Sequence, residues 1–361
     1  MKIGILTFHR AWNYGAVLQC YALQQTLRGM GHSTYVIDYR QPDIENCYEN
    51  NHRSFPWKGT LKAFIAPKRC KKQGFFYWYN IRRNFRHYRD TYFSLTASCT
   101  QSDIPTDFDA YIIGSDQLWV PDWIGGHFDD VYFGDFQRRF NSRVIGYAIS
   151  SNERSISKLT SEALNLIKKN FDYLSFREDE IARMMGLKLQ KNVSLVLDPT
   201  LLMKKESWSP LIKNASHINK PYMVTYHLPG RYGALGRDSF MLGAKKIAQK
   251  NHLRLIDLSD FDYSIPDFVF LIANASLVLT SSFHATVFSL IFNRPLIALQ
   301  LNDGYDRRYV GLLNAIGASE AVYGLNYANT VIRPIDYAVV NENLDSLRKP
   351  SLDFLRGALS M

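Results

Sequence analysis

The chain has 361 residues, 46% of them apolar and 21% charged, with a formal net charge of +10. That length exceeds what one hydrophobic core usually supports, and the composition excludes a disordered or fibrous chain, so two domains of ordinary size are expected. No apolar run reaches the roughly 18 residues that span a bilayer, the apolar stretch from Lys2 to Phe8 is too short for a signal peptide, and a cytoplasmic protein is expected.

KIGILTF reads as a strand. From Ala16 to Met30 apolar residues recur at helical spacing (Val17, Leu18, Tyr21, Ala22, Leu27), and Gly29, Gly31 and His32 end that helix. TYVIDY is the next strand, so the chain opens as a β-α-β unit with a parallel sheet. Between Arg53 and Arg89 there follow eleven Lys or Arg and no acid, which leaves 32 basic against 33 acidic residues elsewhere. Rings such as Trp78, Phe85 and Tyr88 interleave with these charges. Such a mixture suits an anionic membrane surface or a phosphorylated lipid. Equally, a surface helix can pack such rings on its own domain and leave the charges in water. No nucleic-acid-binding motif accompanies the segment, and no nucleic-acid partner is expected.

The alternation continues with FDAYIIGSD and RVIGYAIS as strands, SEALNLIKKNF as a helix, FDYLSFRE as a strand, DEIARMMGL as a helix and VSLVLDPTLL as a strand. It restarts after residue 200 with KPYMVTYHL, LRLIDL, SLVLTSS and RPLIALQL as strands and with helices in SFMLGAKKIAQKN, SIPDFVFLIANAS and ATVFSLIFN. The expected architecture is two Rossmann-like α/β domains facing across a cleft, 1–200 and 201–340, with a C-terminal helix in 341–361 that can cross back onto the first. Cys20, Cys47, Cys70 and Cys99 lack metal or redox spacing and read as ordinary thiols. No metal site is expected.

In open α/β sheets ligands bind beyond the carboxyl ends of the strands, where helix N-termini point. That rule selects His9, Asn13 and Tyr14 after the first strand, Ser115 and Asp116 in GSDQLW, Ser150, Arg177 and Glu178 in SFRE, and Asp198 in LDP. In the second half it selects the crossing that holds Thr280, Ser281, Ser282 and His284, which with Thr286 are five polar residues of an otherwise apolar run. There the free amides and positive dipole of a helix start attract an anion. His284 is expected at a polar mouth and not in the core. Each of these residues also has a plainer role open to it, such as cap, turn former or surface ion pair. No GxGxxG, Walker, HExxH or GxSxG motif is present, which argues against dinucleotide, P-loop, zincin and hydrolase chemistry.

Taken in order, ILTFHRAWNYGAVLQCYALQ, IIGSDQLW, SFREDE, VLDPTLL and LTSSFHATVFSLIF resemble the successive motifs of the polysaccharide pyruvyl transferase family, from Lys2 to about Ile316. The resemblance implies a GT-B-like fold, phosphoenolpyruvate as donor substrate with no cofactor, and transfer of pyruvate to a sugar as a ketal bridging two hydroxyls. It further implies capsule, exopolysaccharide or cell-wall sugars as acceptors, often lipid-linked on a polyprenyl diphosphate at the cytoplasmic membrane face. Within it His284, of the SFH motif, would be the general acid, and Arg177 of SxRE a clamp for carboxylate or phosphate. Ser281, Ser282 and Arg308 would complete the donor site. Asp116 would be the base for the sugar hydroxyl, with His9, Asn13, Tyr14 and Asp198 on the acceptor side. Ala285 stands where many relatives carry glycine. Two other readings remain open: a GT-B-type glycosyltransferase using a nucleotide sugar, and a noncatalytic scaffold of polysaccharide biosynthesis.

Overall fold

The computed structural model describes residues 1–46, 75–212, 218, 220–227, 235–259 and 263–360, the side chains of 75–78 excepted. Contacts divide the chain into two compact units, Met1–Leu202 with Pro350–Met361, and Met203–Lys349.

The first unit holds six strands, β1 (Lys2–Leu6), β2 (Ser33–Val36), β3 (Ala110–Ile113), β4 (Arg143–Ile149), β5 (Tyr173–Phe176) and β6 (Ser194–Leu195). They pair in the order β2-β1-β3-β4-β5-β6, and every ladder is parallel. Parallel strands need crossovers that cover both faces, and so β3, AYII, is buried at all four positions. The first crossover is α1 (Tyr14–Gly29). It starts two residues earlier than helical spacing suggests because the Asn13 side chain accepts from the amides of Gly15 and Ala16 at 2.9 and 3.3 Å.

A later helix, α2 (Phe75–Tyr92), buries Ile81, Phe85 and Tyr88. The rings of Phe85 and Tyr88 lie against α1, with centroids 5.5 Å apart for Tyr14–Phe85 and 6.3 Å for Tyr21–Tyr88. Arg83 and His87 face outward. Residues 53–74 of the basic-aromatic segment lie outside the described residues, as do Cys47 and Cys70. Cys20 and Cys99 are buried free thiols. Two more helices, α3 (Ser161–Asn170) and α4 (Asp179–Leu189), complete the layers. The strand expected through VSLVLDPTLL is short. Pro199 opens a helical turn, Pro199–Leu202, in which the Asp198 carboxylate accepts from the Thr200 amide at 3.0 Å.

The second unit repeats the plan with β7 (Tyr222–Tyr226), α5 (Arg237–Lys250), β8 (Arg254–Asp257), α6 (Ile265–Ala273), β9 (Leu277–Thr280), α7 (Phe283–Ile291), β10 (Leu296–Leu299), α8 (Arg307–Ala315) and β11 (Val322–Tyr323). Its parallel order is β11-β10-β9-β7-β8. Strands β7, β9 and β10 are buried throughout. The last helix, α9 (Tyr337–Leu359), runs through Pro350 and is longer than the expected C-terminal helix. Its end is tied within the first unit: Arg143 donates to the Ala358 carbonyl at 2.9 Å, and the Leu197 amide donates to Ser351 Oγ at 2.9 Å. The fold class is α/β with two Rossmann-like domains. In each sheet the strand order reverses once, between β1 and β3 in the first and between β7 and β9 in the second. At such a switch point the flanking crossovers leave on opposite faces and open a crevice beyond the strand ends.

Candidate functional site

Beyond the carboxyl ends of the first sheet lies a buried polar network. Gly114 ends β3 at φ 129°, and a Cβ there would lie 2.1 Å from the Tyr147 carbonyl oxygen, so only glycine fits. That turn delivers Ser115 to the switch point. Thr7, after β1, donates to the Ser115 carbonyl at 3.1 Å, and Gln19 of α1 bridges Thr7 Oγ1 at 2.8 Å and the Ser115 amide at 3.2 Å. Ser115 Oγ donates to the Ala148 carbonyl at 2.8 Å.

Arg177 is the centre of this network. Its guanidinium meets Asp198 at 2.5 Å, Glu178 at 3.2 Å and Asp116 at 3.6 Å. The Arg177 side chain is 1% exposed, against 15% for Asp116 and 12% for Glu178. Burial works against the charge, but Asp198, Glu178 and Asp116 together hold its pKa above the usual arginine value. Ser150 donates to Glu178 at 2.7 Å and Thr200 to Asp198 at 2.6 Å. This guanidinium is enclosed and faces three carboxylates. Asp116, at φ 76°, and Glu178 are the partly exposed acids of the group.

The residues assigned to the acceptor side are placed as follows. Asp198 is buried beneath Arg177, and Tyr14 is a core ring against Phe85. Asn13 caps α1. His9 is 2% exposed, with Nε2 2.8 Å from Asp38 and Nδ1 3.1 Å from the Thr7 carbonyl. Packing engages Tyr14, and internal hydrogen bonds or ion pairs engage His9 and Asp198. Asp38 also takes a two-pronged contact from Arg10 at 2.7 and 2.8 Å, and Arg10 reaches Glu45 at 2.8 Å. Although burial raises the Asp38 pKa, hydrogen bonds from His9 and Arg10 outweigh it and hold that carboxyl well below the usual range.

The second sheet carries the serine-rich crossing from β9 to α7. Thr280 Oγ1 donates to the Tyr226 carbonyl at 2.6 Å and accepts from the Ser282 amide at 2.9 Å, which fixes the turn against β7. Ser282 is the N-cap and makes no side-chain capping bond. His284 is the second residue of α7 and only 7% exposed, so the expectation of an open polar mouth is corrected to an enclosed one. Ser281 is half-buried, with Oγ 2.7 Å from Nδ1 of His227. Burial lowers the His227 pKa to about 3. Arg308, in the first turn of α8, is half-buried and donates to the Tyr305 carbonyl at 3.2 Å, while Arg307 is exposed. Sequence reasoning missed His227. Its only signal was an imidazole directly after the β7 strand, within KPYMVTYHL.

These are the features of a two-domain α/β protein whose polar residues gather beyond the carboxyl ends of the strands. A family model described as polysaccharide pyruvyl transferase matches residues 13–303, and the chain belongs to that family. Membership places it among transferases of polysaccharide biosynthesis. No curated protein matches the chain. Among solved structures, a UDP-GlcNAc 2-epimerase from Methanocaldococcus jannaschii is 12% identical, with 96% of this chain and 93% of that one covered and a TM-score of 0.45. One from Rickettsia bellii is 10% identical, covering 99% and 96%, with a TM-score of 0.48. An E. coli ADP-heptose LPS heptosyltransferase II is 12% identical, covering 97% and 99%, with a TM-score of 0.36. Among the described residues, no helix is long and apolar enough to cross a membrane.

Proposed function

We propose that this protein transfers pyruvate from phosphoenolpyruvate to a sugar, forming a ketal that bridges two hydroxyls. The supporting observation is the β9–α7 crossing, where an enclosed imidazole, His284, sits in the first turn of a helix whose N-cap serine leaves its side chain unspent on capping. Helix amides and hydroxyls there favour an anion, and a dry setting strengthens that attraction. The reaction needs an acid at C3 of the enol. Protonation there makes C2 oxocarbenium-like, one sugar hydroxyl attacks it, phosphate leaves and the second hydroxyl closes the ring. His284 is the proposed acid, and Ser281, Ser282 and Arg308 the proposed donor contacts. Asp116 is the proposed base, with Arg177 holding its carboxylate in place. The proposed acceptor is a lipid-linked sugar, and the proposed working place is the inner face of an anionic membrane.

The test is product analysis after incubation with phosphoenolpyruvate and a panel of lipid-linked sugars, reading phosphate release together with an acid-labile pyruvyl ketal. Transfer of a glycosyl group from a nucleotide sugar instead would replace this reading. Because His284 is enclosed, alanine would leave a cavity, and His284→Gln is the better variant. Its turnover should fall by about 100-fold or more, the usual contribution of a positioned acid. Phosphoenolpyruvate binding should survive. Full turnover by His284→Gln would remove the acid assignment.

A further inference from the structure

We propose that His227 is a positioning residue for anion binding in the second unit: its Nδ1 holds the Ser281 hydroxyl so that Ser281 presents its own proton to a phosphate oxygen. The inference rests on the reading of the β9–α7 crossing as the donor-phosphate site. Three observations carry it.

The first is topology. His227 follows β7 and Ser281 follows β9, the neighbouring strands between which the order reverses. Their 2.7 Å contact therefore spans the crevice in which open α/β sheets bind ligands. The second is rigidity. The His227 amide donates to Ser259 Oγ at 2.9 Å, the ring lies edge-on to Phe240 at 3.6 Å between centroids, and the residue is 1% exposed. A hydroxyl tied to so fixed an imidazole has little rotational freedom left to lose on binding. The third is proton arithmetic. Burial keeps His227 neutral, so a single ring nitrogen carries a proton, while a serine hydroxyl offers one proton and two lone pairs. An anion selects the arrangement in which Nδ1–H donates to Ser281 Oγ and the Ser281 O–H points at the anion. His227 thus acts through Ser281 and adds no charge of its own.

Two amide variants separate this role from simple core packing. Asparagine places its amide where Nδ1 lies, whereas glutamine reaches only to the position of Nε2. Titration of the whole protein with phosphoenolpyruvate and, separately, with inorganic phosphate should show His227→Asn within about 3-fold of wild type and His227→Gln and His227→Leu weakened by about 10-fold or more, as expected for a lost hydrogen bond to a charged group. Ser281→Ala should weaken binding equally, and Ser281→Ala combined with His227→Gln should be no worse than Ser281→Ala alone. Additive losses, or wild-type affinity in His227→Gln, overturn the proposal. If His227→Leu does not fold, the comparison of asparagine with glutamine, at matched melting temperatures, decides. A wild type that binds phosphate but not phosphoenolpyruvate removes the donor assignment, and the phosphate titrations still judge His227. A wild type that binds neither removes both.

Discussion

Arg177 shows how a residue's neighbours decide what its charge can do. The SFRE motif marks the arginine but not its surroundings, since Asp198 is 21 residues away and Asp116 reaches it from another strand end. Their meeting depends on the placing of β3, β5 and β6 in one sheet, which local spacing does not carry. The motif positions were legible as strand ends, and the burial was not. His227 was missed for the same reason: its partner Ser281 is 54 residues on and adjacent only because β9 pairs with β7. Removing a buried cation that serves three carboxylates leaves uncompensated charge, which typically costs about 3–5 kcal/mol. Arg177→Met should therefore lower the stability of the first unit by that order, measured by denaturant unfolding at neutral pH. A fully stable Arg177→Met that had lost phosphoenolpyruvate binding would return the guanidinium to the ligand.

At the scale of elements, helical and strand periods located nearly every strand of both sheets, because parallel strands buried on both faces leave long apolar runs. What period alone left open was which face of the basic-aromatic helix is covered. In α2 the rings of Phe85 and Tyr88 are spent on Tyr14 and Tyr21 of α1, and Arg83 and His87 remain outside. Basic residues on such an outer face attract an anionic surface by charge, at roughly 1 kcal/mol per basic residue close to the lipid. Flotation with vesicles rich in anionic phospholipid should therefore recover the protein at low salt and release it at about 1 M salt, where the screening length is roughly 3 Å. Retention at high salt would mean apolar insertion. Absence of flotation at low salt would remove the membrane partner.

At the scale of the whole molecule, the two units carry buried titratable groups with different acid responses. In the second, His227 has its pKa lowered by burial to about 3, below the unfolded value of about 6.5. The unfolded chain therefore takes up the proton first as pH falls. Stability is unaffected above about pH 6.5 and declines below it by roughly 1.4 kcal/mol per pH unit until the folded imidazole also titrates. In the first unit, the buried carboxylates Asp38 and Glu45 have lowered pKa values, because hydrogen bonds from His9 and Arg10 outweigh the opposing effect of burial at Asp38 and Arg40 and Arg10 do the same at Glu45. Their stabilising contribution is complete above the unfolded carboxylate values of about 3.9 and 4.3 and is lost only as pH drops through the still lower folded ones. Acidification from pH 7 to 5 should accordingly weaken the second unit while sparing this part of the first. Hydrogen exchange resolved by peptide would follow the two separately, with faster exchange in β7 and β9 at pH 5 than at pH 7 after correction for the intrinsic rate. His227→Asn should flatten that response, since asparagine does not titrate. An unchanged pH response in His227→Asn would mean that the imidazole is not held neutral by burial.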